Sequence, residues 1–206
     1  MVSLGMSDEW QIGEIFGLDD DCLSFVPQPC LGVIVTFEQS AVDDAKPGSG
    51  DDSEVVQFYM KQTGTLDNAC GIIASLHAIL NHQSQITFQE GSILDRFAKA
   101  TNALSPADRA KYLEDFKEFK EMHQEEANKG QTDVPSGTDD VKHHFVAFIR
   151  NSSNQLVELD GLKDGPAIIE DNCEDLLKGV AKELQRRLEI NSISESMSMM
   201  ALAKKP

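Results

Sequence analysis

The chain has 206 residues, 40% of them apolar and 26% charged, a balance that excludes a disordered or fibrous chain and suits one globular domain spanning residues 1–206. Eighteen basic residues stand against 35 acidic ones, for a formal charge of −17 and a pI near 4.5. Such a surface repels phosphate backbones, which excludes nucleic acid as a partner, and attracts basic protein segments. Mean hydropathy is −0.31 and no apolar run reaches the roughly 18 residues that a membrane span needs.

The first 20 residues are polar apart from Trp10-Gln11-Ile12-Gly13-Glu14-Ile15-Phe16, a short amphipathic piece. The extreme N-terminus has neither a basic nor an apolar leader region, so the chain is expected to be cytoplasmic. Leu31 to Phe37 is continuously apolar and reads as a central strand buried on both faces. Residues 39–54, with Pro47, Gly48, Gly50 and several acids, read as a solvated loop. Val55 to Met60 reads as a second, weaker strand.

Asn68, a good N-cap type, precedes Ala69-Cys70 and a helix through Asn81 that is apolar over most of its circumference. Ser92 to Ala103 reads as an amphipathic helix with Ile93, Leu94, Phe97 and Ala100 on one face. Ser105-Pro106 starts another, charged and mostly exposed, that extends to about Ala127. Asn128 to Lys142 is a second long loop. His144–Ile149 and Gln155–Asp160 form a hairpin across the polar linker Arg150–Asn154. Glu174 to Ile190 is a last amphipathic helix, and Met197 to Ala203 a terminal strand. Interleaved helices and strands give an α/β or α+β fold around one sheet.

No pair of the four cysteines is spaced as Cys-x-x-Cys, so neither a zinc site nor a disulfide framework is expected. Cys30 opens an apolar run and reads as a small hydrophobe. Cys22 and Cys173 lie in acidic stretches, which raise a thiol pKa. Cys70 differs, because it stands at the start of a buried helix. There unpaired N–H groups and the macrodipole favour a thiolate.

His144 begins one strand of the hairpin and Asp160 ends the other. Antiparallel pairing can set them side by side, with the carboxylate orienting the imidazole. Together with Cys70 they would make a Cys-His-Asp nucleophilic site. Each residue also has an ordinary structural reading: a packed helix-start cysteine, an edge histidine and a turn-forming aspartate before Gly161. Spacing alone leaves both readings open.

The residues carry more. Met60-Lys61-Gln62-Thr63, then Asn68-Ala69-Cys70-Gly71, Leu76-His77-Ala78 and Asn81, closely resemble the active-site segment of the ubiquitin C-terminal hydrolases. This family is a group of cysteine peptidases. His144-Phe145 and Leu156-Val157-Glu158-Leu159-Asp160-Gly161 resemble its second block, with Val157 in place of an aromatic. The segments Trp10–Asp20, Val26-Pro27, Glu90–Ser92 and Leu104–Ala110 are similar as well, so the resemblance runs from about Trp10 to Lys204.

The resemblance implies a knotted α/β fold, with a central, mostly antiparallel sheet flanked by helices. It implies Cys70 as nucleophile, His144 as general base, Asp160 as its orienting partner and Gln62 as donor to the oxyanion. Neither cofactor nor metal is implied. The implied partner is ubiquitin or a ubiquitin-like protein with a basic tail, and the implied protein is a monomer. Asn128–Lys142 corresponds to the family's crossover loop, which favours small or unfolded leaving groups. Of the two adjacent histidines the pattern selects His144 and leaves His143 exposed, while His77 is a buried structural residue. Asn81 and His82 are helix-end polar groups, and Met197, Met199 and Met200 fill gaps in the core.

Two departures bear on function. Two extra residues, most simply Gly64-Thr65, separate Gln62 from Cys70, and the family's first strand and helix have no counterpart before Trp10. An alternative role follows from them: a ubiquitin-binding member with weakened catalysis.

Overall fold

Six strands hydrogen-bond into one antiparallel sheet in a computed structural model that describes residues 1–39, 48, 54–63, 69–119 and 143–206. In chain order they are β1 (Trp10–Ile15), β2 (Cys30–Gln39), β3 (His143–Arg150), β4 (Leu156–Leu159), β5 (Ala167–Glu170) and β6 (Ile193–Lys204). Their spatial order is β1-β6-β2-β3-β4-β5, so the last strand lies between the first two. The helices are α1 (Asp20–Ser24), α2 (Cys70–Leu80), α3 (Ile93–Thr101), α4 (Pro106–Asp115) and α5 (Leu176–Glu189).

Strand alternation sorts the core into two halves. Ile34, Ala147, Ile149, Val157 and Leu159 face one way and pack with Ile73, Leu76 and Ile79 of α2 and with Leu94 and Phe97 of α3. Val33, Val35, Val146, Phe148 and Leu156 face the other way, onto Leu177, Val180 and Leu184 of α5. Both faces are covered, which is why β2 reads as an unbroken apolar run rather than an alternating one.

The helix starts follow their caps. Ser92, Ser105 and Asp175 each accept a backbone N–H three residues on, and Pro106 occupies the first turn of α4. Ala69, not Asn68, is the N-cap residue of α2, and it makes no side-chain cap. Asn68 itself, Gly64-Thr65 and the 128–142 loop lie outside the described residues, as do 40–47 and 49–53 of the first loop.

Three expectations change. Val55–Met60 is no strand: side chains of Asn151, His77, Asn81 and Arg109, rather than a neighbouring strand, bond its backbone groups. The helix begun at Ser105 breaks at Phe116 (ψ 88°), and 117–119 turn helical again. Nor is it mostly exposed. Ala110, Leu113 and Phe119 are buried, and Phe97 meets Tyr112, Phe116 and Phe119 at ring centroids 5.5 to 6.1 Å apart. Aromatic packing overrides the charge pattern here. β5, a four-residue strand after Gly165-Pro166, was too short to stand out from the surrounding turns.

Candidate active site

The β3–β4 ladder runs from Arg150↔Leu156 to Ala147↔Leu159. Asp160 follows directly on the last paired residue of β4, at the end of the hairpin where β3 begins. The contact is made: His144 Nε2 lies 2.6 Å from Asp160 Oδ1, and both side chains are buried. Asp160 Oδ1 also accepts the Leu162 N–H at 3.0 Å, which fixes the carboxylate. His143 points to the opposite face, exposed, with Nε2 3.2 Å from Ser196 Oγ.

Cys70 is the first residue of α2 and is half-buried, and His144 is among the groups that act on its thiol. Burial pushes the thiol up. The hydrogen bonds from His144 and the Phe145 backbone, the imidazole charge and the Gly71 N–H outweigh it and hold the thiol below its ordinary value. Burial likewise pulls the His144 imidazole down, but hydrogen bonds to Asp160 and Cys70, with their charges, raise it to about 9. Burial raises the Asp160 carboxyl. The His144 bond and charge, the Leu162 N–H and Lys163 hold it below the usual carboxylate range. Each partner's charged form thus favours the other's: the imidazolium holds the thiol down and the thiolate holds the imidazole up.

Gln62 reaches the same place from the other side. Its N–H donates to the Gly161 carbonyl at 2.8 Å. A Cβ on Gly161 would come within 3.1 Å of the Gln62 nitrogen, so the close approach needs glycine there. The Gln62 Oε1 is buried without a hydrogen-bond partner, and a half-turn about the last torsion would put the NH₂ in its position.

The other three cysteines are quiet. Burial pushes Cys30 up to about 12 and raises Cys173, and a hydrogen bond with Asp19 raises Cys22. Among the described residues no group of three or more His, Cys, Asp or Glu could hold a metal ion.

Of the residues that hold this site, sequence reasoning had His77 as a buried structural residue, which it is, and did not assign the roles of Asn81 and Arg109. Asn81 is more than a helix-end polar group: Oδ1 accepts the Phe58 N–H at 3.0 Å, and Nδ2 donates to the Phe58 carbonyl at 2.8 Å. His77, wholly buried, meets Met60 N and O through Nε2 at 3.1 and 3.2 Å. Arg109 donates to the Tyr59 carbonyl at 2.6 Å and stacks over Phe58 at 4.6 Å. Side chains thus give the segment before Gln62 the bonds that a neighbouring strand would have supplied. The helical spacing of His77 and Asn81, one turn apart, was the available signal.

Behind Asp160, the buried Glu158 receives Arg187 at 2.9 and 3.0 Å and Lys163 at 2.7 Å. This bidentate pair ties β4 to α5.

Comparison with known proteins places these features in a lineage. The family model for "Ubiquitin carboxyl-terminal hydrolase, family 1" matches residues 1–189. A probable ubiquitin carboxyl-terminal hydrolase of Dictyostelium discoideum is 33% identical, over 100% of this chain and 83% of its own length. Ubiquitin carboxyl-terminal hydrolase isozyme L1 of Rattus norvegicus is 31% identical, over 99% of this chain and 92% of its own. In structure, the Trichinella spiralis UCH37 catalytic domain, solved bound to ubiquitin vinyl methyl ester, superposes with a TM-score of 0.72 at 22% identity, covering 99% and 89% of the two chains. The chain belongs to family 1 of the ubiquitin carboxyl-terminal hydrolases, the C12 cysteine peptidases.

Proposed function

We propose that the protein is a deubiquitinating thiol hydrolase that cleaves adducts from the C-terminal glycine of ubiquitin or a ubiquitin-like protein, with Cys70 as nucleophile. The thiolate attacks the glycine carbonyl carbon. The oxygen takes up the negative charge, and the Gln62 amide and the Cys70 backbone N–H donate to it; one such donor is worth about 10²–10³ in rate. His144 Nε2 is held by Asp160, so Nδ1 is the nitrogen left for Cys70 and for the leaving group. The imidazolium gives its proton to the departing amine. Water, deprotonated by the now neutral ring, then attacks the acyl-enzyme and frees Cys70.

The observation that carries this reading is the 2.6 Å His144–Asp160 contact, beside a Cys70 thiol that the imidazole holds below its ordinary value. The alternative, a binder with weakened catalysis, rested on the extra Gly64-Thr65 and on the want of a counterpart to the family's first strand and helix. The bond from Gln62 to Gly161 favours the active reading, because it ties the oxyanion donor to the Asp160 turn in spite of the insertion. A chain charge of −17 suits a basic ubiquitin tail, and four free thiols suit the reducing cytoplasm. Preference for small or unfolded leaving groups rests on the crossover loop alone. The protein acts as a monomer.

Turnover of a fluorogenic ubiquitin amide tests the proposal. Wild type should release the fluorophore, and Cys70→Ala should not while still binding ubiquitin. A folded wild type without turnover, or a Cys70→Ala variant that keeps it, overturns the assignment.

A further inference from the structure

Tyr59 is wholly buried, so it touches no substrate and acts through what it holds. Its hydroxyl lies 2.7 Å from the Asp160 carbonyl and 2.6 Å from the Lys163 carbonyl, sharing one proton between them. Those two carbonyls bound the turn that carries the Asp160 carboxylate. The Lys163 N–H closes the same turn onto the Asp160 carbonyl at 3.0 Å, and the Gln62 N–H holds Gly161 inside it.

The Tyr59 ring is itself fixed. It stacks on His77 with centroids 5.2 Å apart and planes 7° apart, while Arg109 holds the Tyr59 carbonyl. His77 stands on the helix that begins at Cys70. A closed circuit results: Cys70 to His144, His144 to Asp160, the Asp160 turn to Tyr59, Tyr59 to His77, and back along α2 to Cys70. The residues after Tyr59 lead within three positions to Gln62. One hydroxyl therefore spaces the Asp160 arm from the Gln62 arm.

We infer that Tyr59 is a positioning residue whose hydroxyl sets the Asp160 turn against His144 and registers that turn with Gln62. The inference rests on the proposed hydrolase mechanism for its kinetic consequence, but not for its effect on the Cys70–His144 pair. A small displacement of a fixed catalytic group is costly in rate, and a phenol without its hydroxyl keeps the packing while it releases the turn.

Tyr59→Phe, Asp160→Asn and the double variant test this, with two readouts. The first is kcat and KM on a fluorogenic ubiquitin amide. The second is the pH dependence of Cys70 alkylation by iodoacetamide, which needs no ubiquitin. Tyr59→Phe should lower kcat roughly three- to tenfold, the worth of one hydrogen bond, and leave KM within about twofold. It should also move the acid limb of the alkylation profile to higher pH, because a slacker Asp160 supports the imidazolium less. In the Asp160→Asn background the same change should leave the alkylation profile where Asp160→Asn puts it, and cost kcat less than it does in wild type, because only the Gln62 register is left to lose.

An unchanged kcat and alkylation profile overturns the inference, as does a full additional loss in the double variant. So does a Tyr59→Phe chain that fails to fold, since the hydroxyl would then be structural. If wild type itself does not turn over the ubiquitin amide, the hydrolase proposal fails separately, and the alkylation profile alone decides Tyr59.

Discussion

At Cys70 two influences oppose each other. Half-burial favours the neutral thiol; the imidazolium and two backbone N–H groups favour the thiolate, and they win. The reactive form therefore depends on His144 staying protonated, which depends in turn on Asp160. His144 loses its proton at about 9, so catalysis should decline as pH rises through that value, when no acid remains for the leaving group. Asp160→Asn removes the charge that raises His144. The alkaline limb of kcat should then move to lower pH, with kcat down about a hundredfold or more by analogy with orienting carboxylates elsewhere. A limb that stays near 9 would mean that Asp160 does not set the imidazole. That His144 and Asp160 could meet was legible from the hairpin, but spacing left their ordinary readings open, and it was the family resemblance that singled them out. Tyr59 and Asn81 were not legible. They act on backbone atoms of distant segments, and no side-chain pattern records which carbonyl a hydroxyl will meet.

Among the elements, the helices were the readable part. Ser92 and Ser105-Pro106 mark helix starts with a local mechanism, and both serines are caps; the last helix, read from Glu174, starts two residues later behind its cap Asp175. The 55–60 segment misled because its apolar, β-prone residues satisfy strand propensity, while its hydrogen-bond partners are side chains of Asn151, His77, Asn81 and Arg109. Such tertiary substitution lies beyond any local window. A tighter constraint sits where the N-terminal turn meets α3. Gly5 has φ +103°, and a Cβ there would lie 2.1 Å from Ser92 Oγ, the capping atom of α3. Gly5→Ala combines left-handed strain with a displaced cap. It should destabilise the fold by about 2–4 kcal/mol, read from a urea unfolding curve. A loss under about 0.5 kcal/mol, the range of ordinary surface changes, would show that the turn reshapes freely.

For the molecule as a whole, buried histidines govern the acid side of stability. Burial pulls His77 down to about 4, and His82 is lowered for the same reason. The unfolded chain takes up these protons near the ordinary value of 6.5 and the folded chain does not. Stability is therefore fully present above 6.5 and lost as pH falls toward 4, by about 3 kcal/mol for His77 alone. The His144 contribution has the opposite sign: present below 6.5, it is lost as pH rises through about 9. Urea midpoints should fall between pH 6.5 and 5, before most carboxylates titrate; a flat profile there would contradict a neutral buried His77.

One topological fact has a temporal consequence. β6 bridges β1 and β2, although it comes last in sequence among the described strands. While the chain emerges from a ribosome, Trp10–Ile15 has no neighbour on its β6 side until residues 193–204 are out. The Trp10–Ile15 ribbon must wait unpaired until β6 arrives to zip it to the rest. Chaperone occupancy during synthesis should therefore concentrate on that waiting edge.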